Sequence, residues 1–147
     1  MRHIANRACT PPYPEGVTSP AHAPSWSAPF EGDLAADLDL ALRLADAADA
    51  VAMSRFDAAD LDVQTKSDAS PVTEADLATE RAIRGILASE RPADGVLGEE
   101  FGTSGTTSRQ WIIDPIDGTA NYLKGIPMWT SLIALAVDGV PRVGVAS

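Results

Sequence analysis

Apolar residues recur at three- and four-residue steps from Asp33 onward, and this spacing predicts an amphipathic helix that ends near Phe56. Four of the seven residues in the predicted apolar stripe are alanines, so we expect the helix to approach a neighbouring element closely. The stripe consists of Leu34, Leu38, Ala41, Leu42, Ala45, Ala48 and Ala52.

A second helix is predicted after a polar connector that runs from Asp60 to Pro71. Thr73 can cap the N-terminus of this helix, and the helical pattern stops before Pro92. Its inward face is predicted to carry Leu77, Ile83, Ile86 and Leu87.

Short apolar runs predict the strands. Val96-Leu97 and Trp111–Ile113 each run directly into acidic residues, and residues 131–137 and 142–146 follow later in the chain. The last two runs are predicted to be antiparallel, because Asp138-Gly139 between them is a strong two-residue hairpin signal. Helices first and strands afterwards, with an antiparallel pair, favour the α+β class over a doubly wound parallel sheet.

Residues 1–32 differ in composition from the rest of the chain. They contain six of the eleven prolines and almost no periodic apolar residues, so we expect a disordered tail rich in proline, alanine and serine. The remaining residues, 33–147, are long enough to form one domain with a hydrophobic core.

Charge narrows the range of partners. Against 21 acidic residues there are 11 Lys and Arg, a net charge of −10, and such a field repels polyanions, so nucleic acid is not an expected partner. Cys9 is the only cysteine, which excludes an intrachain disulfide and makes the cytoplasm the expected compartment. No apolar run of about 18 residues occurs, so no membrane association is expected.

Candidate chemistry begins with Asp114 and Asp117, which follow the Trp111–Ile113 strand. Pro115 restricts the turn between them, so both carboxylates leave the end of the strand in a set geometry. Two carboxylates at i and i+3, with the Ile116 carbonyl between them, form the oxygen cluster that a hard cation requires.

Gly118 and Thr119 come next. The glycine permits close approach of a ligand to the backbone, and free amides at a helix start would face an anion such as phosphate. The alternative is that Asp117-Gly118 is an ordinary turn and that Asp114 caps a helix.

Glu99 and Glu100 end the Val96-Leu97 strand. Neighbours in an extended segment point to opposite sides, so one glutamate can ligate a metal while the other contacts a second ion or a water. A solvated surface is the alternative for this pair. It is also the expected state of the nearest basic residues, which are Lys66, Arg109 and Lys124, and contact with phosphate is the alternative for each of them.

Asp76 allows two interpretations that are mutually compatible. Thr73 and Asp76 match a capping box, in which Asp76 reaches back to the cap amide. Asp76 could also act with Glu100 and Thr119 to orient or deprotonate an attacking water.

Taken in order, Gly98-Glu99-Glu100, residues 111–122 and Gly125-Ile126-Pro127 resemble the motifs of the inositol monophosphatase family. Residues 68–76 resemble the segment that precedes the metal site in that family, and the resemblance extends over residues 34–147. Residues 128–135 are most similar to the actinobacterial histidinol-phosphatase branch.

The resemblance implies a layered α/β sandwich of the sugar-phosphatase type and Mg²⁺-dependent hydrolysis of a small phosphorylated metabolite. Its implied metal ligands are Glu99, Asp114, the Ile116 carbonyl and Asp117. The catalytic residues that it implies are Asp76, Glu100 and Thr119, and the phosphate-binding residues are Gly118 and Thr119.

Histidinol phosphate is the expected substrate, and inositol 1-phosphate is the alternative. Family members continue for about as many residues again and gain a further aspartate ligand there, so the resemblance implies a chain truncated after the first half of the fold. A truncated chain that binds metal or a partner without turnover is therefore a third possibility. Full-length members are expected to be homodimers.

Overall fold

The computed structural model describes residues 32–67, 69–105 and 107–147, so the predicted disordered tail lies almost wholly outside the described residues. The helices of this part of the chain are α1 (Leu34–Arg55), α2 (Glu74–Glu90) and α3 (Thr119–Tyr122). Its strands are β1 (Val63–Thr65), β2 (Pro71–Thr73), β3 (Gly95–Gly98), β4 (Gly102–Ser104), β5 (Arg109–Asp117), β6 (Thr130–Val137) and β7 (Val140–Ala146).

Five strands form one mixed sheet in the order β4-β3-β5-β6-β7, and β1 pairs with β2 in a separate ribbon. Within the five-stranded sheet β3 and β5 are parallel, and the other neighbouring pairs are antiparallel. Helix α1 packs on β6 and β7, and α2 packs on α1 and β5. The predicted α+β class is confirmed.

The main core lies between the two long helices and the sheet. Its largest fully buried side chains are Leu40, Leu44, Ile83, Leu87, Trp111, Ile133 and Leu135. Side chains alternate along each strand, so the strand residues next to the buried ones point to the face of the sheet opposite the helices. On that face Leu97, Ile112 and Leu132 are 38%, 38% and 37% exposed.

The predicted bounds of α1 are nearly those observed, but the predicted face was wrong for its leucines. Leu34, Leu38 and Leu42 are 39%, 43% and 50% exposed, whereas Leu40 and Leu44 are fully buried. The alanines of the predicted stripe are buried as expected.

The buried face of α1 differs from the predicted stripe because Asp37, an acidic residue, lies on the buried side of the helix. Asp37 is 4% exposed and accepts a hydrogen bond of 2.8 Å from Nη2 of Arg109. Arg91 lies 3.6 Å from the same carboxylate. A charged residue tolerates such burial when it is paired, and the sequence pattern does not reveal partners so distant in the chain.

Helix α2 begins where the capping box predicts. The hydroxyl of Thr73 accepts from the amides of Ala75 and Asp76, and Oδ2 of Asp76 accepts from the Thr73 amide at 2.7 Å. The structural interpretation of Asp76 is thus confirmed. Ile83 and Leu87 are buried as predicted, whereas Leu77 and Ile86 are only half-buried.

The hairpin at Asp138-Gly139 is confirmed, and both residues have positive φ, 52° and 75°, as a tight two-residue connection requires. Two further elements were not predicted. The polar connector contains the β1-β2 ribbon, whose first strand is wholly exposed, and the short edge strand β4 pairs with β3. No helix in the described part of the chain is both long and apolar enough to cross a membrane.

Candidate functional site

The parallel pairing of β3 and β5 brings two acidic segments to one edge of the sheet. Gly98 pairs with Ile113, so the residues that follow them leave the sheet side by side. The amide of Glu99 donates to the carbonyl of Ile113 at 3.0 Å, and Asp114 is the next residue along β5. The glutamates after β3 and the aspartates of β5 are therefore neighbours.

Asp114 and Asp117 lie within β5, so the prediction that the strand ends before Asp114 was wrong. Asp114 pairs with Leu132 and Asp117 with Thr130, so that three residues of β5 advance opposite two of β6. This extra residue forms a bulge, where Pro115 needs no amide hydrogen. Asp114 does not cap a helix, as one alternative had it, because the N-cap of α3 is Gly118.

Asp114 has an unusual electrostatic environment. Burial raises the pKa of Asp114 to about 7, and the adjacent Glu99 carboxylate and the charge of Asp117 contribute to the rise. Oδ1 of Asp114 is buried and has no hydrogen-bond partner among the described residues. A buried, unpaired carboxylate oxygen next to two other carboxylates is stabilised by a cation.

Lys66 places its ammonium group between the two glutamates. Its Nζ lies 2.7 Å from Oε1 of Glu99 and 2.9 Å from Oε1 of Glu100. Burial raises the pKa of Glu100, although the ammonium opposes this rise. Burial tends to lower the pKa of Lys66, but hydrogen bonds to the two glutamates raise it above its ordinary value.

Asp76 and Thr119 form the other side of the cluster. The hydroxyl of Thr119 lies 3.1 Å from Oδ1 of Asp76 and 3.1 Å from the carbonyl oxygen of Ile116, and it can donate to either. Asp76 is 1% exposed, and its charge contributes to the raised pKa of Glu100. Asp76, Thr119 and the Ile116 carbonyl are thus brought together, with Glu100 within electrostatic reach.

Gly118 fills a position that a larger residue would strain. Its φ is +98°, and a Cβ there would lie 3.1 Å from the carbonyl oxygen of Met128. The carbonyl of Gly118 accepts from the amides of Asn121 and Tyr122, so α3 begins at this point. An open groove of about 490 Å³ lies alongside, lined by Asp117, Gly118, Asn121, Met128, Trp129 and Thr130.

The carboxylates are close but not arranged as a finished metal site. Among residues 32–67, 69–105 and 107–147, no three Asp, Glu, His or Cys side chains stand together so that they could hold one ion. Glu99 instead forms an ion pair with Lys66. The donor set nevertheless consists of carboxylate and carbonyl oxygens, the ligands that Mg²⁺ prefers, and it includes the unpaired oxygen of Asp114.

The expectation of a solvated surface was wrong for two of the three basic residues. Lys66 is paired with the glutamates, and Arg109 is paired with Asp37 and Asp94. Lys124 is exposed, as expected. The position of Lys66 next to the glutamates depends on the β1-β2 ribbon, which the sequence pattern did not predict.

Comparison with known proteins shows the family and the fold. Residues 33–147 match the model of the inositol monophosphatase family. The chain is 61% identical over 112 residues to a histidinol-phosphatase of Mycobacterium tuberculosis, and the match covers 76% of this chain and 43% of the relative. It is 58% identical over 115 residues to a histidinol-phosphatase of Streptomyces coelicolor, with the same coverage of 76% and 43%.

A solved structure of an inositol monophosphatase from Zymomonas mobilis superimposes with a TM-score of 0.64 at 41% identity, covering 80% of this chain and 45% of that one. The chain thus spans less than half the length of the curated relatives that it matches.

Proposed function

The chain belongs to the inositol monophosphatase family, and from that membership we propose that it forms the metal-binding part of a Mg²⁺-dependent phosphatase acting on a small phosphomonoester. The proposal concerns the whole protein, since this chain covers 43% of its curated relatives. The observation that carries it is the buried, unpaired Oδ1 of Asp114 beside Glu99 and Asp117.

We assign the metal ligands as Glu99, Asp114, the Ile116 carbonyl and Asp117. When bound, Mg²⁺ would neutralise charge on the phosphate and lower the pKa of an attacking water. The charges of Glu99 and Asp117 both act on Asp114 and help to raise its pKa, so we assign Asp114 as the central ligand of this set.

The neighbouring residues would bind the phosphate and move the proton. Asp76 holds the Thr119 hydroxyl, whose oxygen can accept a hydrogen bond from water and so orient it. Glu100, with its pKa raised by burial, is a stronger base than an ordinary glutamate. Gly118 and Thr119 would offer backbone amides to the phosphate, because the first amides of a helix have no partner within it.

Histidinol phosphate is the proposed substrate, supported by the 61% and 58% identity to proteins of that activity. Inositol 1-phosphate is the alternative, supported by the likeness to the Zymomonas mobilis structure. Binding without turnover is the third possibility for this chain, because its relatives are more than twice as long as the matched region. A cytoplasmic location and a homodimer of the whole protein stay predictions.

The test is phosphate release from histidinol phosphate and from inositol 1-phosphate, with Mg²⁺ and with Asp117→Asn as the control for contaminating phosphatase. A larger kcat/KM for histidinol phosphate supports the proposed substrate, and the reverse ranking favours the alternative. Metal binding without release of phosphate from either compound supports the third possibility for the isolated chain.

A further inference from the structure

Glu80 is a carboxylate that the sequence analysis passed over and that the proposed mechanism does not use. It lies on α2, one turn after Asp76, and its side chain is fully buried. Burial of a charged group is costly unless hydrogen bonds and an opposite charge compensate it. Arg84 provides the charge, with Nε 2.7 Å from Oε1 of Glu80.

The remaining partners of Glu80 are backbone amides in the loop that carries the glutamates. The amide of Glu100 donates to Oε2 of Glu80 at 2.7 Å, and the amide of Phe101 donates to Oε1 at 3.3 Å. This loop, residues 99–101, connects β3 to β4. One buried carboxylate therefore binds two consecutive amides of the loop.

The first amide of the loop is held from the other side, because Glu99 donates to the carbonyl of Ile113 in β5. All three loop amides thus have fixed acceptors, one on the sheet and two on α2. Backbone direction determines where a side chain starts, so these contacts fix the starting points of the Glu99 carboxylate, which lies next to Asp114, and of the Glu100 carboxylate, which feels the charge of Asp76.

Gly98 makes the contact possible. A Cβ at this position would lie 1.8 Å from Oε1 of Glu80, so no side chain fits there while the carboxylate keeps its place. The backbone of Gly98 is not among those with positive φ, so the requirement for glycine comes from the approach of Glu80. Arg84 completes the arrangement by also donating to the carbonyl of Gly102 and, at 2.9 Å, to Oγ of Ser104.

We propose that Glu80 is a positioning residue of the metal site, which acts by holding the loop amides so that Glu99 stays next to Asp114 and Glu100 stays near Asp76. This inference rests on the proposed function, because it assigns a purpose to the orientation of those ligands. Glu80 touches neither substrate nor metal, and its effect passes through the backbone of residues 99–101.

Glu80→Gln is the informative variant because it preserves size and removes one acceptor oxygen. The amide nitrogen of the new side chain would face a backbone N–H or the Arg84 guanidinium, donor against donor. We expect faster hydrogen exchange at the Glu100 and Phe101 amides of the metal-free chain. We also expect Mg²⁺ affinity, measured by calorimetry, to fall by about 10- to 100-fold, as for other residues that orient metal ligands.

Two further variants make the test independent of whether Glu80→Gln folds. Gly98→Ala disrupts the same contact from the strand side, because the added Cβ would clash with the Glu80 carboxylate, and it should lower Mg²⁺ affinity to a similar extent. Arg84→Gln removes the ion pair but leaves both carboxylate oxygens of Glu80 free to accept hydrogen bonds from the loop amides. It should therefore lower the stability of the chain while keeping Mg²⁺ affinity within about threefold. That change is much smaller than the loss expected when metal ligands lose their orientation.

The outcomes separate this inference from the proposed function. If the unchanged chain binds no Mg²⁺, the proposed function fails and the role of Glu80 fails with it. If the unchanged chain binds Mg²⁺ and both Glu80→Gln and Gly98→Ala bind it equally well, the positioning role alone is wrong. Loss of affinity in Arg84→Gln equal to that in Glu80→Gln would also overturn it, because general destabilisation would then explain both.

Discussion

The ammonium nitrogen of Lys66 lies 2.7 Å from Oε1 of Glu99, one of the carboxylates proposed to bind the metal. In the metal-free chain a lysine thus neutralises part of the charge that a divalent cation would otherwise neutralise. Binding of Mg²⁺ through Glu99 has to compete with this ion pair, because the same oxygen cannot fully serve both cations.

Lys66→Gln should therefore bind Mg²⁺ more tightly than the unchanged chain. Removing one unit charge about 4 Å away is worth roughly 1 kcal/mol even in water, or about fivefold in affinity. Calorimetry measures the change, and Lys124→Gln is the matched control because Lys124 is exposed. Weaker binding in Lys66→Gln would show that the lysine supports the metal site instead of competing with it.

The stability of the metal-free chain should depend on pH through Asp114. Its pKa is about 7 in the folded state against an ordinary value of 3.8, so the folded state binds the proton more tightly. The resulting stabilisation is fully present below about pH 4 and is lost as the pH rises through about 7. The raised pKa of Glu100 acts in the same direction.

Urea unfolding at about pH 5.5 and about pH 8 measures this effect, and Asp114→Asn should reduce the difference because its side chain does not titrate. An unchanged difference in the variant would exclude Asp114 as a source. Mg²⁺ affinity should rise over the same range, since the ligand must lose its proton to bind.

Asp114→Asn should also remove most of the increase in melting temperature that Mg²⁺ produces in the unchanged chain. A ligand that binds only the folded state stabilises it, and Asn lacks the charge that makes Asp114 the central ligand. Thermal unfolding with and without Mg²⁺ measures the shift. Asp138→Asn, in the exposed β6-β7 turn, is the control and should keep the full shift.

Gly118→Ala should destabilise the chain by about 1–3 kcal/mol, the usual cost of holding a non-glycine residue in a sparsely populated conformation. The cause is the φ of +98° together with the carbonyl of Met128, 3.1 Å from the added Cβ. Gly139→Ala is a useful comparison because φ there is +75° but no atom lies within 4 Å of the Cβ. Equal losses of unfolding free energy in the two variants would assign the effect to φ alone.

Local patterns predicted the parts of the fold whose causes are local. The capping box at Thr73, the turn at Asp138-Gly139 and the apolar run at Trp111–Ile113 each depend on residues that are adjacent in sequence. The aspartates of β5 were found for the same reason, although a bulge keeps the strand going where Pro115 had suggested a turn.

Burial of charged residues was not predicted, because it depends on partners far along the chain. The buried carboxylate of Asp37 is paired with Arg109, 72 residues later in the chain. Because this pair allows Asp37 to lie on the buried side of α1, the buried face differs from the predicted stripe. The buried carboxylate of Glu80 accepts a hydrogen bond from the amide of Glu100, 20 residues later in the chain. Lys66 forms an ion pair with Glu99, 33 residues later. Hydropathy assigns all of these side chains to solvent.

Helix α2 also limits which insertions and deletions the chain can accept. Asp76 and Glu80 are four residues apart and so lie on the same side of the helix, one reaching Thr119 and the other the loop after β3. One added or deleted residue between them would turn Glu80 by about 100° and move it by about 1.5 Å along the axis. Changes in length should therefore be rejected between Asp76 and Glu80, and better tolerated at Asp138-Gly139, the exposed turn between β6 and β7.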